Sequence, residues 1–308
     1  MKTVSFAIPV FRNKKAVTLT HEKIKNLFKE SFSHLKYEIV FVDDGSKDGT
    51  LEELIEISQK DSNVKVVELT RNFGQMSAIL AGFKNVSGDA VVNISADLQD
   101  PVEVVGDMIR SWEKDNLVVI AFRKSRRDQL SRQLTSRLAY KLLRLAIPEI
   151  PPGGFDLLMM DREVLDQFNS IDIRNRFLQG DLLWFGYPAH YIPYERKERE
   201  HGKSQYTFGK RLKNFLDAFL DSSYLSIRAI SAFGAFVALS GFMYSVTVIY
   251  SRIVNQTPFE GWAPLMMVNL IIGGIIMLML GVIGEYIWRI YDELRGKPNF
   301  VVKKVHQK

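Results

Sequence analysis

Two apolar stretches without a charge constrain this chain most. Residues 229–251 lie between Arg228 and Arg252, and residues 261–284 lie between Glu260 and Glu285. At about 1.5 Å of rise per residue, each reaches roughly 34–36 Å as a helix, enough to cross a hydrocarbon core of about 30 Å. Buried helices of soluble proteins rarely stay charge-free for so long, so the expectation is two transmembrane helices. Gly234, Ala238 and Gly241 on the first stretch, and Gly273, Gly274 and Gly281 on the second, allow close helix contact. Lys210, Arg211, Lys213 and Arg228 precede the pair, and Arg289, Arg295, Lys297, Lys303 and Lys304 follow it. The connecting residues 252–260 hold one basic side chain, so both ends are expected on the cytoplasmic side of an inner or plasma membrane. Just upstream, Phe208, Leu212, Phe215, Leu216, Phe219 and Leu220 recur at helical spacing beside basic residues, the pattern of an interfacial helix.

Outside these stretches the chain reads as globular. Of 308 residues, 25% are charged and 46% apolar, which excludes wholesale disorder. The absence of cysteine excludes disulfides, thiolate nucleophiles and Cys-ligated metal sites, and five scattered histidines argue against a His-rich centre. The net charge of +6 gathers near the membrane-proximal segments and no nucleic-acid-binding module is visible, so nucleic acid is not expected as a partner.

Apolar runs of strand length recur at residues 4–8, 39–42, 64–69, 90–94 and 118–122. Helical patterns separate them at 17–32, 50–59, 75–84 and 102–114, the last with an Asp100 cap and Pro101 in its first turn. Such alternation predicts a mostly parallel sheet covered on both faces, with ligands outside the carboxyl ends of the strands. The residues just after each strand are therefore informative. The first strand leads into Pro9-Val10-Phe11-Arg12-Asn13, without Gly-x-Gly-x-x-Gly, so a dinucleotide oxidoreductase is not expected. The second, fourth and fifth lead into Asp43-Asp44-Gly45-Ser46, into Asp97-Leu98-Gln99-Asp100, and into Arg123-Lys124-Ser125-Arg126-Arg127. Carboxylates that can hold a divalent cation or ribose, beside cations that can hold phosphate, suit a nucleoside diphosphate.

These residues resemble the family 2 glycosyltransferases. The motifs are Val42-Asp43-Asp44-Gly45-Ser46-x-Asp48-Gly49-Thr50, Arg71-Asn72-Phe73-Gly74-Gln75 and Asp97-Leu98-Gln99-Asp100-Pro101. Asn175-Arg176-Phe177-Leu178-x-Gly180, Arg199-x-x-Gly202-x-Ser204-x-Tyr206 and the two apolar stretches are similar to the polyprenyl-phosphate branch: dolichol-phosphate mannose synthase-like enzymes and bactoprenol glucosyltransferases. The resemblance implies an α/β GT-A domain, the Rossmann-like fold of nucleotide-diphospho-sugar transferases, over residues 1–206. An amphipathic juxtamembrane helix over 207–228, a two-helix transmembrane anchor over 229–288 and a cytoplasmic basic tail over 289–308 would complete the chain.

The implied reaction is inverting transfer of one sugar, glucose from UDP-glucose, to undecaprenyl or another polyprenyl phosphate. Pro9, Asp44, Arg71 and Gln99 would bind the donor nucleotide. Asp97 and Asp156 would be catalytic, and Asp97 and Gln99 would hold Mg²⁺ or Mn²⁺. Arg123, Arg137, Arg199 and Ser204 would bind the acceptor phosphate. The sequence departs from the family at Arg12-Asn13-Lys14, at Ser95 in place of an aspartate, and at Gly153-Gly154-Phe155-Asp156 in place of Gly-Asp-Phe-Arg. UDP-galactose, a UDP-N-acetylhexosamine or GDP-mannose stay open as donors, a homo-oligomer is compatible with the sequence, and Ser95 keeps open a catalytically inactive, membrane-anchored nucleotide-sugar binder.

Overall fold

A computed structural model describes residues 1–96, 101–124, 144, 147–151, 154–171, 173, 176–195, 225–255 and 261–308. The described residues divide into two compact units. One includes the N-terminal strands and helices through Glu195 together with Pro298–Lys308; the other holds the two long helices.

The first unit is built on an eight-stranded sheet in the order β7-β5-β6-β4-β1-β2-β3-β8. Strands β1 (Thr3–Val10), β2 (Lys36–Asp43), β3 (Val64–Leu69), β4 (Ala90–Asn93) and β5 (Val118–Arg123) fall on the five apolar runs. Helices α1 (Ala16–Ser31), α2 (Thr50–Lys60), α3 (Gln75–Asn85) and α4 (Val102–Trp112) connect them. Alternation along each strand separates two apolar cores. Phe6, Ile8, Ile39, Phe41 and Val66 pack under α1, α2 and α4, while Ala7, Val40, Val42 and Val67 pack under α3. Two further helices, α5 (Arg162–Ser170) and α6 (Leu178–Trp184), cover that second face.

The sheet is mixed, not wholly parallel. Strand β6 (Phe155–Asp161) runs antiparallel between β4 and β5, and β7 (Ala189–Tyr194) lies parallel to β5 at one edge. At the other edge β8 (Val302–His306) pairs antiparallel with β3. The stretch expected as a basic tail thus supplies a strand. The reason is that β3, bonded to β2 on one side, leaves a row of main-chain donors and acceptors on the other, and β8 satisfies it. Helix α4 also departs from expectation: Pro101 is its N-cap in extended geometry, with no side-chain cap. A proline is suited there because its fixed φ leads into the helix without needing an N–H.

The second unit contains α7 (Leu225–Asn255) and α8 (Trp262–Leu294), which cover essentially all of the two charge-free stretches and extend beyond them, α8 by ten residues at its carboxyl end. Their surfaces expose large apolar side chains, among them Phe236, Phe242, Ile253, Met277 and Leu280. A Cβ added at Gly234 of α7 would meet Met279 Cε of α8 at 3.5 Å. Among the described residues a single segment, Ile271–Leu294, is long and apolar enough to cross a membrane, so of the two transmembrane helices expected one is matched by length and composition. The expected interfacial helix lies outside the described residues apart from its last few positions.

Candidate active site

The carboxyl ends of the parallel strands, where the first two acidic motifs and the Arg123 cluster were expected, share one edge of the sheet. Because β6 is antiparallel, its first residues join that edge. Across the strand order, the edge presents Arg123 from β5, Asp156 from β6, the chain leaving β4, Pro9 from β1, Asp43 and Asp44 from β2, and Arg71 after β3.

Pro9 sits in a central strand, where a missing N–H normally breaks the ladder. It is tolerated because the β1–β4 pairing ends at Ala7 and Asn93, and only the β2 side continues, with Pro9 opposite Val42. The next turn holds Arg12 and Lys15 at φ 56° and 71°, left-handed values that few non-glycine residues adopt. Docking on the loop after β2 and on α2 compensates for this. The Arg12 N–H donates to Ser46 Oγ at 3.0 Å, and the Lys15 N–H to Glu53 Oε2 at 2.9 Å. The family departure at Arg12-Asn13-Lys14 is therefore a built turn.

Asp44 organises the centre. Its Oδ1 accepts from the Phe73 N–H at 2.7 Å and its Oδ2 from the Gly74 N–H at 2.9 Å. Gly45, at φ 72°, lies against the same loop; a Cβ there would meet Asn72 N at 2.8 Å, so no side chain fits. Arg71 stands exposed at the head of this loop, its guanidinium 4.0 Å from the centroid of the Phe73 ring and donating to Asn72 O at 3.1 Å. Asp48 accepts from the Thr50 hydroxyl at 2.6 Å, the turn chemistry that Asp-Gly implies ahead of α2.

Asp43 and Asp44 are both buried, at 1% and 3% exposure. Burial pushes both carboxyls above the usual aspartate range. For Asp43 the hydrogen bonds from Ser46 oppose the shift and the nearby Glu68 adds to it. For Asp44 the Phe73 and Gly74 N–H groups and Arg71 oppose it, and Asp43 adds to it. Adjacent carboxylates with raised affinity for positive charge are what a site holding a cationic or hydrogen-bond-donating ligand contains.

At the other end of the edge, Phe122 pairs with Phe155 but Ala121 pairs with Leu157. Asp156 is thus the extra residue of a β-bulge, an irregularity that recurs beside active sites. Arg123 ends β5 opposite Tyr194, whose carbonyl accepts from the Lys124 N–H at 2.9 Å. Asp97, Gln99, Arg137, Arg199 and Ser204 lie outside the described residues. Among the described residues no group of three His, Asp or Glu side chains could hold a metal ion.

Two residues within the 175–180 motif make contacts that the sequence does not reveal. Gln179, in the first turn of α6, donates its amide to the Phe155 carbonyl beside the bulge. Arg176, with only 2% of its side chain exposed, pairs with Asp181 at 2.8 Å and donates to the carbonyls of Phe168 and Ile171. Its guanidinium also lies 3.7 Å from the Phe168 ring centroid. The motif 175–180 marks the place, but nothing in its spacing tells that the arginine faces inward.

The family model described as glycosyl transferase family 2 matches residues 5–168. The SfII prophage-derived bactoprenol glucosyl transferase of Shigella flexneri is 33% identical over 306 residues, 99% of this chain and 98% of the relative. An uncharacterized glycosyltransferase of Bacillus subtilis, YkcC, is 35% identical over 302 residues, 97% of this chain and 93% of the relative. Mannosyl-3-phosphoglycerate synthase from Rubrobacter xylanophilus superposes with a TM-score of 0.53 at 19% identity, over 76% of this chain and 75% of that one. The last likeness speaks to the fold, a GT-A-like mixed α/β sheet. With a family model matching more than half of its length and full-length relatives above 30% identity, this chain belongs to glycosyl transferase family 2 and is a glycosyltransferase.

Proposed function

We propose that the protein moves one sugar, glucose from UDP-glucose, onto a polyprenyl phosphate at the cytoplasmic face of a membrane, with inversion at the anomeric carbon. The observation that carries this reading is the similarity along essentially the whole chain to relatives named bactoprenol glucosyl transferase. The apolar surfaces of α7 and α8 support a two-pass anchor, since exposed apolar area of that extent needs a lipid or protein cover. A structural neighbour, glucosyl-3-phosphoglycerate synthase of Mycobacterium tuberculosis, is described in complex with UDP, which agrees with a nucleoside-diphosphate donor.

The chemistry is set by the acceptor. A phosphate monoester has its second pKa near about 6, so the polyprenyl phosphate is largely dianionic at pH 7 and needs no strong base. A phosphate oxygen attacks the anomeric carbon, the bond from that carbon to the donor's β-phosphate oxygen breaks, and the nucleoside diphosphate leaves with the electron pair. The protein supplies positioning and charge stabilisation. Pro9, Asp44 and the Arg71 loop would bind the nucleoside, and Arg123, Arg137, Arg199 and Ser204 the acceptor phosphate, where guanidinium forks match phosphate oxygens. Asp156 at its bulge would orient the sugar. Asp97 and Gln99 would hold Mg²⁺ or Mn²⁺. One carboxylate and one amide suit an ion that takes its other oxygens from the donor. When bound, the ion supplies Lewis-acid stabilisation of the leaving diphosphate.

The test is mass spectrometry of the products formed from undecaprenyl phosphate and a panel of nucleotide sugars. A hexosyl-phosphoprenol formed from UDP-glucose supports the reading. No lipid product with any donor, or release of the full-length chain by carbonate extraction, refutes it.

A further inference from the structure

The segment after α8 reaches the loop that carries Arg71. The N–H of Thr70, the residue just before that loop, donates to the Val301 carbonyl at 3.0 Å. Asn299 Nδ2 donates to the Ile173 carbonyl at 3.0 Å, and Phe300 packs against the apolar core under α3. In β8, Lys303 Nζ donates to Glu68 Oε1 at 2.6 Å and His306 Nε2 lies 3.1 Å from Glu68 Oε2.

Glu68 matters because of what it adjoins. It is 8% exposed and stands in register with Asp43 on the neighbouring parallel strand. In-register residues of adjacent strands share a face at roughly 4.8 Å spacing. Asp43 Oδ1 is buried and has no hydrogen-bond partner among the described residues. Two buried carboxylates side by side repel strongly, and an unpaired buried charge is costly. Among the described residues, the two side chains that satisfy Glu68, the Lys303 ammonium and the His306 imidazole, both come from β8.

We propose that residues 299–306 are a strap that positions the donor loop. The Val301 carbonyl holds the loop's entry at Thr70, while Lys303 and His306 hold the Glu68 carboxylate against its repulsion by Asp43. Loop 71–74 is then fixed from two sides, by Asp44 and by the strap. The inference rests on the proposed role of that loop in donor binding. Lys303 and His306 act through Glu68 and are positioning residues.

The experiment uses the full chain in detergent micelles and UDP as the probe, with Kd from calorimetry and KM and kcat for both substrates. Replacing both partners of Glu68, Lys303→Met with His306→Phe, is expected to weaken UDP binding about 5-fold or more and to leave the acceptor KM in place. Adding Glu68→Gln removes the charge that needed them and is expected to restore UDP affinity to within about twofold. Should the double variant not fold, Lys303→Met alone carries the same expectation at smaller amplitude. Arg71→Ala serves as the check on the donor loop. If it weakens UDP binding while the strap variants bind normally, or if Glu68→Gln fails to restore affinity, the strap is wrong and the donor-loop reading stands. Wild-type protein that does not bind UDP overturns both.

Discussion

Replacing Asp44 by alanine separates a loop-organising role from a passive one. The carboxylate accepts two main-chain N–H bonds, at 2.7 and 2.9 Å, from Phe73 and Gly74. A hydrogen bond to a charged acceptor contributes about 1.5–3 kcal/mol, so the gross loss is about 3–6 kcal/mol. Burial and the neighbouring Asp43 work against the ionised form, and their relief returns part of this. The net expectation is about 2–4 kcal/mol, a fall in urea midpoint of roughly 1 M for the unit that carries the sheet. Donor affinity should fall as well. Ordering backbone costs about 1–2 kcal/mol per residue, so a loop released at residues 71–74 must be reordered by the ligand. If about 2 kcal/mol of that falls on binding, the Kd for UDP rises roughly 30-fold. The assays are urea denaturation of the full chain in micelles, followed by limited proteolysis of the sheet-bearing unit, and UDP calorimetry. An unchanged midpoint together with an unchanged Kd would refute the assignment of Asp44 as the tether of this loop.

Three further outcomes are expected. Glu38 is held below the ordinary glutamate range: burial works to raise it, but bonds from Ser5 and Ser87 and the Lys65 ammonium outweigh burial. Its stabilisation is present above the unfolded value of about 4.3 and is lost as pH falls through the lower folded value, so Glu38→Gln should flatten the loss of stability between about pH 5 and 3. Removing one partner of the buried Arg176–Asp181 pair, as in Arg176→Met, should cost about 3–5 kcal/mol, whereas Arg176→Met with Asp181→Leu should recover much of it; equal losses in the single and double variants, read by thermal denaturation, would show that the pair is not coupled. Arg199→Ala should lower the specificity constant for the acceptor roughly 10- to 150-fold with the donor constant unchanged, and Asp97→Asn should depress turnover at every Mg²⁺ or Mn²⁺ concentration; steady-state kinetics with EDTA controls decides both, and full wild-type activity in EDTA refutes the metal assignment.

Much of the frame that carries the candidate site was legible because its information is local. Apolar runs marked β1 to β5 within a few residues at either end, since a strand buried on both faces must be apolar throughout. The residues after those strands put Pro9, Asp44 and Arg123 at one edge from sequence alone, because in a sheet of this kind the loops after parallel strands meet, and the family resemblance added Arg71. The two charge-free stretches marked α7 and α8 by composition and length alone.

Tertiary structure decided what depends on partners far apart in the chain. Strand β6 contains the apolar run Leu157-Leu158-Met159-Met160, which a buried helix would equally show, and only its place between β4 and β5 makes it a strand and puts the bulge at Asp156. The basic residues of 289–308 read as a tail because Lys303 and Lys304 alone suggest solvent. It is the open edge of β3 and the buried Glu68, 235 positions away from Lys303, that turn this stretch into a strand and Lys303 into a counter-charge. The same holds for Asp44. Its motif identifies it, but that both of its oxygens grip the main chain of residues 73 and 74 is settled only once β2 and β3 lie side by side, since a hydrogen bond is a matter of distance and direction and not of spacing along the chain.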